Sequence, residues 1–165
     1  MKAHNEELYK INELKNLTKP HSSKILGIDY GEIRIGVAIS DETNTIALPF
    51  KTLIKKDEYT IKPLISELKE LIKAENIEKI ILGNPLNMNG TKGDRALKTE
   101  DFKERLHRNF KKLEIILWDE RLTSVQAEKI LIETGNKERQ NIDQVAATLI
   151  LQAYLDKENN GKQTT

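Results

Sequence analysis

Acidic residues stand at three places in this sequence where a strand ends or a helix begins. Asp29 closes a short apolar run, and Asp119 and Glu120 directly follow another. Asp143 lies in the first turn of a predicted C-terminal helix. Carboxylate oxygens are the ligands that Mg²⁺ prefers, and two such ions about 4 Å apart can stabilise the attacking and leaving oxygens of a phosphodiester. The three positions therefore predict metal-dependent phosphodiester hydrolysis, provided that the fold brings them together.

Each acidic position also has a purely structural explanation. Asp29 could bond the backbone of its own turn. Asp119 and Glu120 could supply negative charge at the start of a helix, with Arg121 paired to one of them. Asp143 could reflect the ordinary preference for acids in a helix's first turn. Because it borders the inward side of that helix, Asp143 should have a partner.

Composition limits the class of protein. The length of 165 residues and an apolar fraction of 38% fit one domain with a modest core. The absence of cysteine excludes disulfides and thiolate metal ligands. With 27 basic against 26 acidic residues, net charge gives no argument for a polyanionic partner. No run approaches the ~20 apolar residues of a membrane helix, so we expect a soluble cytoplasmic protein without a membrane partner.

The pattern of apolar and turn-forming residues predicts one domain with polar ends. Residues 1–23 are a predicted N-terminal extension, flexible or with one short helix, 24–157 are the domain, and 158–165 are a frayed polar tail. The predicted strands are Lys24–Asp29, Arg34–Asp41, Thr45–Ile54, Ile80–Leu82 and Glu114–Trp118. The predicted helices follow a Thr60 cap, follow Gly93, run from a Thr123 cap to Gly135, and follow an Asn141 cap.

This order of elements restricts the fold class. Three consecutive strands favour an antiparallel meander, and the alternating helices and strands that follow favour parallel additions to the same sheet. We therefore predict an α/β fold with a five-stranded mixed sheet flanked by helices. Ribonuclease H-like folds have this order.

The loop 83–93 is rich in glycine and asparagine and precedes a predicted helix. Flexible backbone, amide side chains and a lysine before a helix N-terminus suit a phosphate group. The loop lacks the spacing of a Walker motif, and it could equally be a surface loop of turn formers. The candidate contacts to nucleic acid are Arg34, Asn87, Lys92, Arg95 and Arg121, each of which could instead be a solvated polar residue.

Five segments together resemble the YqgF family, also called the RuvX family, whose members are described as pre-16S ribosomal RNA nucleases and Holliday junction resolvases. They lie in the family's order and cover residues 24–155. The matching segments are Gly27–Gly31, Arg34–Ala38 with Ser40 and Asp41, Gly83–Gly90, Asp119–Thr123 and Ile142–Ala147. The resemblance implies a ribonuclease H-like fold, phosphodiester hydrolysis, and Mg²⁺ or Mn²⁺ as the cofactor.

The same resemblance assigns roles to the acids. Asp29 matches the acid of the first strand, and Asp143 matches the acid of the last helix. Either Glu120 or Asp119 matches the acid of the Asp-Glu-Arg motif. The implied metal ligands are thus Asp29, Glu120 and Asp143, with Asp119 as a further catalytic candidate. The loop departs from the family at Asn84, where leucine is usual, and at Asn89, where aspartate is common.

The expected function is maturation of the 5′ end of 16S rRNA by a metal-dependent endonuclease, with transient ribosome association. Two alternatives stay open. The first is a Holliday junction resolvase that acts on branched DNA. The second is a binding factor without catalysis, which would bind nucleic acid, the ribosome or, as in related folds with two lobes, a nucleotide. The three acids argue against a loss of catalysis, and the length argues against two lobes. Sequence does not decide between a monomer and a homodimer, or between RNA and DNA.

Overall fold

The structure, a computed structural model, describes residues 10, 22–122 and 139–163. Within them, all strands belong to one mixed sheet. The strands are β1 (Lys24–Tyr30), β2 (Arg34–Ser40), β3 (Ala47–Ile54), β4 (Ile77–Asn84) and β5 (Glu114–Asp119), and the helices are α1 (Lys62–Ala74), α2 (Asp94–Asn109) and α3 (Arg139–Gln163). The order across the sheet is β3-β2-β1-β4-β5. β1, β2 and β3 pair antiparallel, whereas β4 and β5 add in parallel to β1.

The centre of the sheet is buried on both faces because β1 and β4 are apolar at consecutive positions. Ile28 and Leu82 face α1 and α2 in one apolar cluster. Ile25 and Ile81 face α3 in a second cluster. The alternation of side chains along β1 therefore assigns each residue to one of two helical layers.

Two glycines let α3 lie directly on the sheet. A Cβ atom at Gly36 would lie 1.9 Å from the backbone oxygen of Asp143. A Cβ atom at Gly27 would lie 2.7 Å from the Cβ of Leu151 and 2.8 Å from the backbone oxygen of Ala147. All three distances are shorter than real Cβ contacts, so only glycine permits this approach. The packing fixes the start of α3, and with it Asp143, against the middle of the sheet.

The predicted fold class and the five-stranded mixed sheet are confirmed. Every predicted strand is present, with shifts of up to three residues at the ends. The largest shift is in β4, which extends from Ile77 to Asn84 around the apolar run that predicts it. Of the described helices, none is long and apolar enough to cross a membrane.

Three details of the helix predictions are wrong. Thr60 does not cap α1, since Ile61 occupies the N-cap and makes no side-chain capping bond. The backbone N–H and the hydroxyl of Thr60 both donate to Asp57. α3 begins at Arg139, before the predicted Asn141 cap, so Asp143 lies beyond the first turn.

The third concerns the polar tail, where α3 continues to Gln163 instead of fraying after residue 157. Asn159 donates a hydrogen bond to the backbone oxygen of Asn44 at 3.2 Å, which ties this end of the helix to the turn between β2 and β3. The helix predicted for 123–135 and most of the extension 1–23 lie outside the described residues.

The glycine contact predicts a large stability difference between two identical substitutions. Gly36→Ala should lower the free energy of unfolding by about 1–3 kcal/mol or more, because the new methyl group must displace α3. Gly161 lies near the end of α3, and a new Cβ there has nothing within 4 Å. Gly161→Ala should therefore raise the free energy of unfolding by roughly 0.5–1 kcal/mol. Urea unfolding followed by circular dichroism measures both. Equal effects would show that α3 does not pack as described.

Candidate active site

Asp29 lies near the end of β1, on the face covered by α3. It pairs in register with Gly36 on β2, and it shares a face with Gly27 two residues earlier, since side chains alternate along a strand. The residue is partly buried. The sequence places an acid at a strand end here, and the structure places that acid beneath the start of α3.

Glu120 comes to the same place from the other side of the sheet. It begins a short 3₁₀ turn, Glu120–Leu122, directly after β5. Its Oε1 atom would lie 2.5 Å from a Cβ atom at Gly83, so its carboxyl group rests on the bare backbone of β4. The side chains of Asp29 and Glu120 share a hydrogen bond. β4, which separates their strands, therefore has to carry glycine at this point.

The two carboxyl groups hold a proton more tightly than isolated acids do. Burial raises the pKa of Glu120 to about 7, and the neighbouring charge of Asp29 adds to the effect. Burial also raises the pKa of Asp29, opposed by the charge of Arg95 and reinforced by that of Asp143. Such a pair titrates as a unit, because two negative charges at close range and away from water disfavour each other.

Asp119 points to a different partner. Arg121 Nη2 lies 2.6 Å from Asp119 Oδ2, and Arg121 Nε and its backbone N–H donate to Asp119 as well. The Arg121 guanidinium and these hydrogen bonds lower the pKa of Asp119. Of the two adjacent acids, Glu120 thus lies beside Asp29, while Asp119 is bonded to Arg121.

Asp143 has the partner that its inward position predicts. Arg34 Nε donates to Asp143 Oδ2 at 2.7 Å. In this arrangement Asp143 does not close a three-ligand cluster with Asp29 and Glu120, and no three acidic or histidine side chains of the described ranges form one. Asp143 is nevertheless close enough for its charge to raise the pKa of Asp29.

The donor set fits a divalent cation. Its atoms are carboxylate oxygens, which Mg²⁺ and Mn²⁺ prefer. Burial raises the pKa of both Asp29 and Glu120, and the charge of Arg95 opposes these shifts without cancelling them. A cation among the carboxylates would add positive charge and release the proton.

The predicted nucleic-acid contacts divide into two groups. Asn87, Arg95 and Arg121 line a cavity of about 430 Å³ together with Glu120, here called the Arg95 groove. Arg95 is exposed in the first turn of α2, and its charge acts on both Asp29 and Glu120.

The remaining contacts are held by neighbours. Lys92 pairs with Glu100 at 2.7 Å, away from the groove lining, and Arg34 is bound to Asp143. Within the groove, Asn87 bonds to Thr91 and shapes the loop.

The sequence places Gly83 in the candidate phosphate loop but does not predict that it contacts Glu120 and Ile150. A Cβ atom at Gly83 would also lie 2.5 Å from Ile150 Cδ1, so α3 and Glu120 meet over this one residue. A glycine at the end of an otherwise apolar strand is the signal that could have indicated it. Asn84 follows, buried and in register with Asp119, and its Oδ1 has no hydrogen-bond partner among the described residues.

The mixed sheet, with three antiparallel strands extended by two parallel ones and flanked by helices, defines a ribonuclease H-like fold. A solved structure described as Thermus thermophilus RuvC in complex with a Holliday junction substrate shares it, with a TM-score of 0.52 and 13% identity over 81% of this chain and 96% of that one. The family model described as "RuvX: Holliday junction resolvase" matches residues 23–157. The chain belongs to the RuvX family.

Curated relatives agree with this assignment. A protein of Agathobacter rectalis is 38% identical over 84% of this chain and 99% of its own length. One of Syntrophomonas wolfei is 43% identical over 84% of this chain and 98% of its own. Both bear the name "Putative pre-16S rRNA nuclease". The match covers nearly the whole of each relative.

The raised pKa of Glu120 predicts a pH-dependent gain of stability on its neutralisation. The unfolded chain loses this proton near pH 4.5 and the folded chain near pH 7, so ionisation opposes folding increasingly across that interval and fully above it. Glu120→Gln should therefore match the wild type at pH 4 and melt several degrees higher at pH 8, at about 2–4 °C per kcal/mol. Thermal melts in EDTA measure this. A difference that is the same at both pH values would contradict it.

Proposed function

We propose that this chain is a metal-dependent endonuclease that hydrolyses a phosphodiester bond at the 5′ end of pre-16S rRNA. The half-buried Asp29–Glu120 carboxyl pair, of which Glu120 lines the Arg95 groove, carries the proposal. Membership of the RuvX family and the names of the relatives support the substrate. rRNA is made and matured in the bacterial cytoplasm, where we expect the enzyme, with transient association with the immature small subunit.

Each side chain of the site has a separate proposed role. Asp29 and Glu120 would hold Mg²⁺ or Mn²⁺, with Asp143 completing the set. The cation would supply positive charge at the scissile phosphate and an acidified water for in-line attack. Arg95 is placed to bind a phosphate of the substrate, since it is exposed beside the acids.

The supporting residues keep these groups in place. Arg34 holds Asp143 through its Nε atom. Arg121 is fixed by Asp119 and reaches the backbone oxygen of Met88 at 3.4 Å, so it connects the end of β5 to the loop 83–93. These contacts preorganise the wall of the groove before the substrate arrives.

A second candidate is resolution of four-way DNA junctions on the same site. The description of the family model favours it. The likeness to RuvC establishes the fold alone at this level of identity. Symmetric cutting of a junction needs two sites, hence a homodimer, whereas trimming of an RNA end needs one. The carboxyl pair itself argues against a binding factor without catalysis, because acids whose pKa values are raised by burial and mutual repulsion are typical of active sites.

The first test compares both substrates directly. A 5′-extended 16S precursor RNA and a four-way DNA junction are incubated with Mn²⁺ or EDTA. We expect metal-dependent trimming of the RNA, and a loss of at least about 1,000-fold in Asp29→Asn, by analogy with removal of a principal electrostatic group. Asp156→Asn, an exposed acid on α3 far from the site, is the matched control and should keep wild-type activity.

The other outcomes are equally informative. Paired symmetric cuts in the junction would favour the resolvase. Full activity of Asp29→Asn at saturating metal would refute the site. Added Mn²⁺ should also raise the melting temperature of the wild type and of Asp156→Asn but not of Asp29→Asn, because a ligand stabilises only the state that binds it.

Gly83→Ala should separate catalysis from folding. The new methyl group would meet the ends of two flexible side chains, Glu120 and Ile150. Both can move, so the free energy of unfolding should change by about 1 kcal/mol or less, but Glu120 would leave Asp29. Activity should fall by about 100-fold, the usual cost of a misplacement near 1 Å. Cleavage rates beside urea unfolding measure this. Wild-type activity in a folded Gly83→Ala would show that Glu120 does not act from this position.

A further inference from the structure

A second cavity lies on the opposite face of the sheet from the acids. It measures about 460 Å³ and is formed by the end of β1, the residues that follow β3, and α2. We call it the Tyr59 cavity, after the tyrosine on its rim. Its floor is Tyr30, whose side chain points away from that of its neighbour Asp29 because residues alternate along β1. Its size is within the ~300–1,000 Å³ of small-molecule sites.

The floor of the Tyr59 cavity carries a buried cation. Lys55 is only 4% exposed. Its ammonium donates to Tyr30 Oη at 3.0 Å and to the backbone oxygen of Glu58 at 3.4 Å, and lies 4.7 Å from the centre of the Tyr30 ring. Across 22–122 and 139–163, no carboxylate forms an ion pair with it. Two of its three N–H donors are thus assigned, and the third can serve a ligand.

The acids on the rim are already neutralised. Lys98 forms ion pairs with both Glu32 and Glu58, which joins three segments of the chain around the opening. Arg105 pairs with Asp101 at 2.9 Å. The lining of the Tyr59 cavity is therefore close to neutral overall. A phosphate bound in this cavity would be repelled by the three carboxylates of Glu32, Glu58 and Asp101. A flat, uncharged group with hydrogen-bond acceptors fits the cavity better than an anion does.

Tyr59 presents such a group with an open stacking surface. The residue is 85% exposed, yet its backbone is fixed, because Asp57 accepts hydrogen bonds from the N–H groups of Tyr59 and Thr60 at 2.9 and 2.7 Å. A large aromatic ring that an ordered turn holds in solvent buries no apolar surface and so does not stabilise the fold. Bases of single-stranded nucleic acid stack on rings of this kind.

The Tyr59 cavity connects to the active site through Arg95. A small opening lined by Tyr30, Glu32, Lys98 and Arg95 shares its first three residues with the cavity. Arg95 also lines the Arg95 groove beside Glu120. A strand that leaves the acids along Arg95 therefore arrives at the cavity without crossing the body of the protein.

We infer that the Tyr59 cavity binds one unpaired base of the nucleic-acid substrate, stacked on Tyr59 and accepting a hydrogen bond from Lys55, with a phosphate between cavity and acids held by Arg95. The inference rests on the proposed nuclease function. In this arrangement Tyr59 helps to determine which substrates are bound. The feature that it recognises is the single-stranded flank of a processing site. Tyr59 does not touch the reacting bond.

The test measures binding and cleavage separately with the full chain. Fluorescein-labelled single-stranded hexanucleotides, one of RNA and one of DNA, are titrated and followed by anisotropy. Tyr59→Ala should weaken binding by roughly 5- to 100-fold, the range for loss of one base–aromatic stack. Tyr59→Phe keeps the ring and should stay within about twofold, whereas Tyr59→Leu should resemble Tyr59→Ala. Because the side chain is exposed, thermal melts of all three should equal that of the wild type.

In cleavage assays, Tyr59→Ala should raise KM on a precursor with a single-stranded flank and leave kcat unchanged, and the effect should vanish when the flank is removed. Equal hexanucleotide affinity of Tyr59→Ala and wild type, or no wild-type binding, would overturn the inference. These results are distinct from a failure of the proposed function. A wild type that binds hexanucleotides through Tyr59 but cuts neither substrate would refute the nuclease assignment, whereas cleavage indifferent to Tyr59 would refute only the cavity.

Discussion

The direct contact between α3 and the sheet is the constraint on which the site depends. Gly27 and Gly36, on neighbouring strands, remove the side chains that would hold the helix at an ordinary distance. The helix backbone then lies on β1 and β2, and the start of α3 brings Asp143 over Asp29. Without that approach the two acids would belong to separate layers. The geometry of the acidic site is here a consequence of packing volume, not of any attraction among the acids themselves.

Indeed, the acids oppose the packing that assembles them. Asp29 and Glu120 are brought together where burial and mutual repulsion raise both pKa values, so the folded protein gives up stability at neutral pH to keep them adjacent. Neighbouring cations reduce this cost only in part. Arg95 acts from the exposed side, and Arg34 occupies Asp143. Under the proposed function, a divalent cation held by these carboxylates would offset the repulsion that the packing imposes on them.

Much of the fold could be predicted from local pattern, because the strands of the sheet are short apolar runs bounded by turn residues. The absence of a Thr60 cap could not, since the Thr60 hydroxyl donates to Asp57 and the N-cap position falls on Ile61. Asp119 and Glu120 were also indistinguishable in sequence. What separates them is tertiary: Gly83 leaves room for one carboxylate, and Arg121 is within reach of the other.

The Tyr59 cavity is harder still to predict, since its floor, rim and wall come from three distant segments and follow no period. Its position nevertheless follows from the end of β1. Successive residues of a strand face opposite sides of a sheet, so Asp29 serves the acidic site and Tyr30 the cavity, within one residue of each other. At the end of the sheet the two faces meet, and Arg95 lies at their junction. One strand terminus can thereby hold the bond to be cut and sense the unpaired chain beside it.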